Sequence, residues 1–381
     1  MRRTEKVTSG GSTVLEPEST VENGKASSTL DADTADKLVD EAAKSGSTEI
    51  VVKPAIRTDD AGKVTQAVVE LPASAVADMA EKTDAALRVE TPVASISLPN
   101  GSLASLAGTA GGSVAISAAR QDDGAVTVEL RAGGRAVDRL DGGLTVTLPV
   151  EDAAPGTVAM LVKPDGTTEV IKKSALLDGG LVVPLEGSAT VKLVDNSKTF
   201  PDVAPDDWYG GAVAFASAHE LFSGTGDGSF SPGQPMDRGM LVTVLHRLEN
   251  TPQGGSALFG DVAAGAYYAD AVAWAAESGI VTGNGSGFDP QGAVSREQLA
   301  VMLYRYAARG GAGAGASGSL DGFRDADAVS PWAADAMAWA VGAGLIQGDP
   351  SAGLNPGGSA TRAEVAAILQ RFITAAAQNQ L

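Results

Sequence analysis

The sequence predicts a multidomain protein: a β-rich, sandwich-like N-terminal domain with small helices, followed by an all-α bundle of three repeats. Three observations carry that expectation. Short, strand-like apolar runs punctuated by Gly, Asp and Pro fill residues 28–195. Residues 200–373 then state one pattern three times, with Phe200, Phe259 and Phe323 opening units 59 and 64 residues apart. Apolar residues make up 44% of the 381 and charged residues 20%, the composition of a globular chain long enough for two or three cores.

In chain order, residues 1–27 read as a flexible arm or an incomplete strand, rich in Ser, Thr, Gly and Glu. The segment DADTADKLVDEAAK (31–44) predicts a short helix capped by Asp or Thr. Strand signals follow at 49–54, 63–71, 85–90, 93–99, 113–119, 125–131, 144–149, 157–163 and 188–194, several alternating with period two. Helical insertions are expected after Leu71 and after Gly101. The acidic residues Asp122, Asp123 and Asp141 fall in Gly-rich turns, where Asp satisfies the backbone, and no catalytic constellation assembles. The region 28–195 therefore reads as a non-catalytic β-rich domain.

The repeats are expected at 200–250, 259–309 and 321–373, with a Gly/Ala linker at 310–320 and a tail at 374–381. Each opens F-x-D and continues into an Ala-rich helix. A Gly/Asp/Pro loop and a second helix complete it. Phe215, Trp274 and Trp339 on the first helices suit core packing, whereas Trp208, Tyr267 and Trp332 lie near helix starts, where a ring can stack on a ligand or pack. The second helices start after Asp237, Ser295 and Thr361, each a good N-cap; Ser295 with Gln298 and Thr361 with Glu364 have capping-box spacing.

Arg238, Arg296 and Arg362 follow those caps directly. The helix dipole disfavours a cation there, so another partner is required. An acidic ligand could bond the guanidinium and free backbone amides together. Nine residues on, Arg247, Arg305 and Arg371 suit the helix C-termini and read as structural. Asp202, Asp261 and Asp325 in F-x-D could close each unit, orient an Arg or accept a sugar hydroxyl. The loops at 224–232, 283–290 and 348–356 lack the oxygen alternation and closing Glu of an EF-hand, so calcium is disfavoured.

With 28 Lys plus Arg against 47 Asp plus Glu, the formal net charge of −19 excludes a nucleic-acid wrapper. The lack of Cys rules out disulfides, thiolate metal sites and a thiol nucleophile, and only two His are present. No cofactor or metal is expected. No signal peptide or transmembrane segment is legible, so an extracellular role predicts that the chain belongs to a longer secreted protein.

The repeats resemble the S-layer homology family over about 175 residues, on the strength of FPDV, WYGGAV and HELFSGTGDGSFSP with their counterparts, and of TRAE at 361–364. DRGM and SREQ replace TRAE in the first two repeats, Tyr267 replaces the Trp of the others, and the third carries one extra residue before Trp332. The resemblance implies a pseudo-threefold helical prism with grooves between units. It also implies binding of secondary cell-wall polysaccharide linked to peptidoglycan, commonly through a pyruvylated amino sugar, at the bacterial cell wall or S-layer. Carried over, Arg238, Arg296 and Arg362 contact the acidic ketal, while Asp202, Asp261, Asp325, Trp208, Tyr267 and Trp332 line or order the pockets. The expected function is non-covalent wall anchoring, not catalysis; the alternative is a self-associating component of a surface lattice.

Overall fold

A computed structural model describes residues 4–7, 11–109, 111–255, 259–310, 318–349, 351 and 353–378. Residues 311–317 of the expected linker and 379–381 of the tail lie outside the described residues. The chain divides into two compact units, residues 1–152 with 159–194, and residues 153–158 with 195–381.

The first unit holds two mixed sheets. One has eight strands in the order Thr4–Val7, Ser12–Leu15, Glu49–Val52, Ala86–Glu90, Ser95–Leu98, Leu144–Leu148, Gly180–Leu185 and Ala175–Leu177. The other has nine. Eight run in the order Thr168–Val170, Thr157–Val162, Ala189–Asp195, Val126–Ala132, Ser113–Arg120, Gln66–Pro72, Lys25–Thr29 and Thr20–Glu22, and Arg135–Ala136 pairs beside Val126–Ala132. Alternating residues of both sheets, among them Ile50, Leu87 and Ile96 from the first and Val69, Ile116 and Val128 from the second, enter one hydrophobic core. Residues 12–22, read from sequence as part of a flexible arm or an incomplete strand, supply strands to both sheets.

Helices α1 (Ala32–Ser45), α2 (Thr58–Ala61), α3 (Ala73–Lys82) and α4 (Asn100–Thr109) carry the chain across between the sheets. From Lys25 to Glu90 successive strands alternate between sheets, which makes Lys25–Thr29 with Gln66–Pro72 and Glu49–Val52 with Ala86–Glu90 parallel pairs. The start of α1 follows from its cap: Asp31 accepts the Thr34 amide at 2.8 Å. Its end follows from Gly46, at φ 64°, whose amide closes on Ala42 and Ala43.

The second unit contains a pair of main helices per repeat: α5 (Gly210–Ala218) and α6 (Arg238–Leu248), α7 (Ala269–Glu277) and α8 (Arg296–Arg309), α9 (Ala334–Gly342) and α10 (Arg362–Ala377). Phe215, Trp274 and Trp339 are buried at the first helix of each pair. The expectation that this half is all-α is overturned. Single antiparallel β-bridges join Asp237 to Ala293, Ser295 to Ser359 and Pro235 to Thr361, linking repeats 1–2, 2–3 and 3–1. Two short 3-10 turns, Ala326–Ala328 and Pro331–Ala333, add further non-α structure.

The bridges have a local cause. An N-cap residue is extended, as Asp237, Ser295 and Thr361 are at ψ 166°, 160° and 162°, so the residues around it expose β-type backbone groups. Those groups satisfy one another in a closed ring: the Met236 amide donates to Ala360 O, Ala360 to Val294 O, and Val294 to Met236 O, each at 2.9 Å. All three residues are fully buried. Apolar residues directly before each cap were the sequence trace of this ring. Among the described residues no helix is long and apolar enough to cross a membrane.

Candidate functional site

The expected site residues fall into three sets with distinct surroundings. The F-x-D carboxylates each receive two successive loop amides. Asp202 accepts from Phe230 and Ser231 at 2.8 and 2.7 Å, Asp261 from Phe288 and Asp289 at 2.9 and 2.7 Å, and Asp325 from Leu354 and Asn355 at 2.7 and 2.8 Å. The second donor in each pair has a positive φ of 58°, 58° and 49°, which turns two consecutive N–H groups toward one carboxylate. Those amide bonds hold Asp261 and Asp325 below the ordinary carboxylate pKa. At Asp202 burial works against ionisation and the same pair of bonds outweighs it. The three Asp thus close their own loops.

The loops also depend on Gly where the opening Phe presses on them. A Cβ on Gly283 would stand 2.8 Å from the Phe259 ring and 2.7 Å from Gly287 O, so only Gly fits.

The arginines after the caps reach into the neighbouring repeat. Arg238 Nε donates to Phe288 O at 2.8 Å and Nη2 to Thr282 O at 3.1 Å, with its guanidinium 4.6 Å from the Phe288 ring centre. Arg362 does the same to repeat 1, through Phe230 O at 2.7 Å and Ser223 O at 2.8 Å, lying over Phe230 and Phe222. Arg296 donates to Leu354 O at 2.8 Å and pairs with Glu364 at 2.9 Å. Burial lowers the pKa of Arg238 and Arg362, and the nearby Arg247 cation adds to the shift at Arg362.

The amides foreseen as free for a ligand are already used. The first two amides of α6 donate to Gly292 and Pro290, those of α8 to Gly358 and Pro356, and those of α10 to Gln234 and Pro232. The third amide meets the cap side chain in each helix. The neighbouring repeat replaces the ligand at these helix ends, which is why the sequence left them apparently unpartnered.

Trp208, Tyr267 and Trp332 are the exposed rings of the set, at 67%, 63% and 58% accessible. Tyr209 and Tyr268 brace the first two edge-on, with ring centres 5.3 and 5.0 Å away. In repeat 3 Ala333 holds that place. There the buried Glu297 carboxylate accepts from the Ser330 amide and hydroxyl, both at 3.0 Å, and fixes the turn carrying Trp332.

A groove of about 410 Å3 brings members of these sets together: Arg238 from repeat 1, Thr282, Gln298, Met302 and Arg305 from repeat 2, and Trp332 from repeat 3. Arg305 was assigned from sequence to a helix terminus. Its nine-residue spacing from Arg296 contained the missing signal: at 100° per residue it lies half a turn away, so the two arginines serve opposite sides of α8. The Arg247 cation also acts on Arg362, and that of Arg296 on Arg371, so a cap-following arginine and a nine-on arginine share a neighbourhood there too. Among the described residues no His, Cys, Asp or Glu group has the makings of a metal site.

Residues 199–239, 258–300 and 322–366 match the S-layer homology domain family. The chain is similar to an amylopullulanase of Thermoanaerobacterium thermosulfurigenes, 30% identical over 45% of this chain and 9% of that protein. It is similar to exoglucanase XynX of Acetivibrio thermocellus, 28% identical over 50% of this chain and 17% of the relative. It also resembles the surface-layer 125 kDa protein of Lysinibacillus sphaericus, 31% identical over 40% of this chain and 13% of the other. The chain therefore spans less than a fifth of the length of each of these relatives. Three tandem stretches within residues 199–366, tied in a ring by their own loops and arginines, thus match the S-layer homology domain family.

Proposed function

We propose that the three repeats anchor the protein non-covalently to the bacterial cell wall, by binding an acidic secondary cell-wall polysaccharide. The observation that carries this reading is the pairing of arginines in a domain otherwise dominated by acid. After Lys198 the sequence has no lysine and only eight arginines, and six of them form the three cap-following and nine-on sets. Like charges brought together are unfavourable unless an anion meets them. A carboxylate-bearing sugar, such as a pyruvylated amino sugar, supplies that anion, and an exposed ring at the same groove suits a sugar face. The occurrence of such repeats in both carbohydrate-active enzymes and surface-layer proteins fits an attachment role independent of cargo.

Calorimetric titration of the chain with purified wall polymer, beside polymer stripped of pyruvyl groups, tests the reading. Saturable binding to the pyruvylated form alone is expected, weakening as salt rises but less steeply than for a polycationic binder. Absence of binding to both polymers refutes it. Self-association in a surface lattice is the second reading, favoured by Leu176, 46% exposed on the outer strand Ala175–Leu177. A chain that sediments as a monomer at high concentration counts against it.

A further inference from the structure

The three arginine pairs differ in what already neutralises them. At repeat 3, Arg296 of repeat 2 is ion-paired to Glu364 at 2.9 Å, with the Arg side chain only 12% exposed, and Arg371 donates to Leu345 O at 3.0 Å. At repeat 1, Arg362 of repeat 3 holds two carbonyls, Arg247 donates to Leu221 O at 3.0 Å, and Met240 stands where repeat 3 has Glu364. In repeat 2 the corresponding residue is the neutral Gln298, and Arg305 lines the groove without a carbonyl or carboxylate partner among the described residues.

We infer that the groove between Arg238, Arg305 and Trp332 is the principal binding site, with Arg305 and the neutral Gln298 setting its preference for a carboxylate-bearing sugar. This rests on the polysaccharide-binding reading above. A carboxylate entering this groove meets two cations and breaks no direct ion pair, although the Asp289 and Asp261 carboxylates already act on Arg238 from nearby. The same group at repeat 3 must compete with Glu364 for Arg296. The groove volume lies in the range of small-ligand sites, about 300–1,000 Å3. Trp332, on the turn that Glu297 holds through Ser330, lines the same opening. DRGM and SREQ, which replace TRAE in the first two repeats, thus lack the acid at the fourth position, while Asp237 and Glu297 place one at the first and third.

The test is calorimetry of the full chain with pyruvylated cell-wall polysaccharide, comparing wild type, Arg305→Ala, Arg371→Ala and Glu364→Gln. Gln in place of Glu364 keeps a capping box of the kind Ser295 and Gln298 already form. Thermal melts check that each variant is folded. Arg305→Ala should weaken binding by about tenfold or more, the scale of one lost charge-assisted hydrogen bond. Arg371→Ala should weaken it less, and Glu364→Gln should strengthen binding or add a second class of site. Equal losses from the two arginine variants, or no gain from Glu364→Gln, would overturn the ranking while leaving the polysaccharide reading intact. A folded wild-type chain that binds no polymer would bring down both.

Discussion

At the residue scale, Asp202, Asp261 and Asp325 show how one carboxylate can close a loop. Each carboxylate is the acceptor for two loop amides that would otherwise point at solvent or at each other. Amide bonding depresses the folded pKa of Asp261 and Asp325 below the ordinary 3.8. Their contribution to stability is therefore complete above the ordinary carboxylate range and is lost as pH falls through the depressed folded values. Melting temperature followed from pH 5 to pH 2.5 should drop on the acid side. A variant carrying Asp261→Asn and Asp325→Asn should melt lower at neutral pH and show a shallower acid limb. An acid limb identical to wild type would show that these carboxylates are not what acid titrates. Gly283→Ala gives a second check at this scale: steric conflict with Phe259 should lower the melting temperature, and an unchanged value would refute the close approach.

At the element scale, the second helices are set by their caps. Thr361 and Glu364 satisfy each other's backbone amides, as do Ser295 and Gln298, whereas Asp237 acts alone because Met240 cannot reciprocate. Replacing Thr361 by Ala should cost about 1 kcal/mol in denaturant unfolding. A change near zero would mean that the cross-repeat bonds hold α10 without its cap. These caps, the buried aromatics and the repeat boundaries were legible because each is a local pattern. The ring through Met236, Val294 and Ala360 was not, since its partners lie far apart in sequence and each bridge is a single residue pair. That omission made the second unit look purely helical. The parallel strand pairs of the first unit escaped for a related reason: alternation marks a strand and its buried face, while the crossovers through α1 to α3 decide which sheet it joins. At the grooves, residue types were readable and their partners were not. Arg238 and Arg362 proved to be tied to carbonyls, and Arg305 proved to face the opening.

At the scale of the whole repeat unit, the bonds run in a cycle. Repeat 1 reaches repeat 2 through Arg238, repeat 2 reaches repeat 3 through Arg296, and repeat 3 returns to repeat 1 through Arg362, 132 residues from its acceptor Phe230. Linear repeat arrays have ends at which opening can begin. A closed cycle has none, so loss of any one junction should loosen all three repeats together. Arg362→Ala is the sharpest probe, because Arg362 is buried and its removal leaves Phe230 O and Ser223 O without their donors. The expected loss is about 2–4 kcal/mol. In amide hydrogen exchange, the slowest protons of α6, α8 and α10 should accelerate by a common factor in the variant. Acceleration confined to repeats 1 and 3, with α8 in repeat 2 retaining its protection, would show that the repeats are stabilised pairwise and that the cycle confers no shared cooperativity.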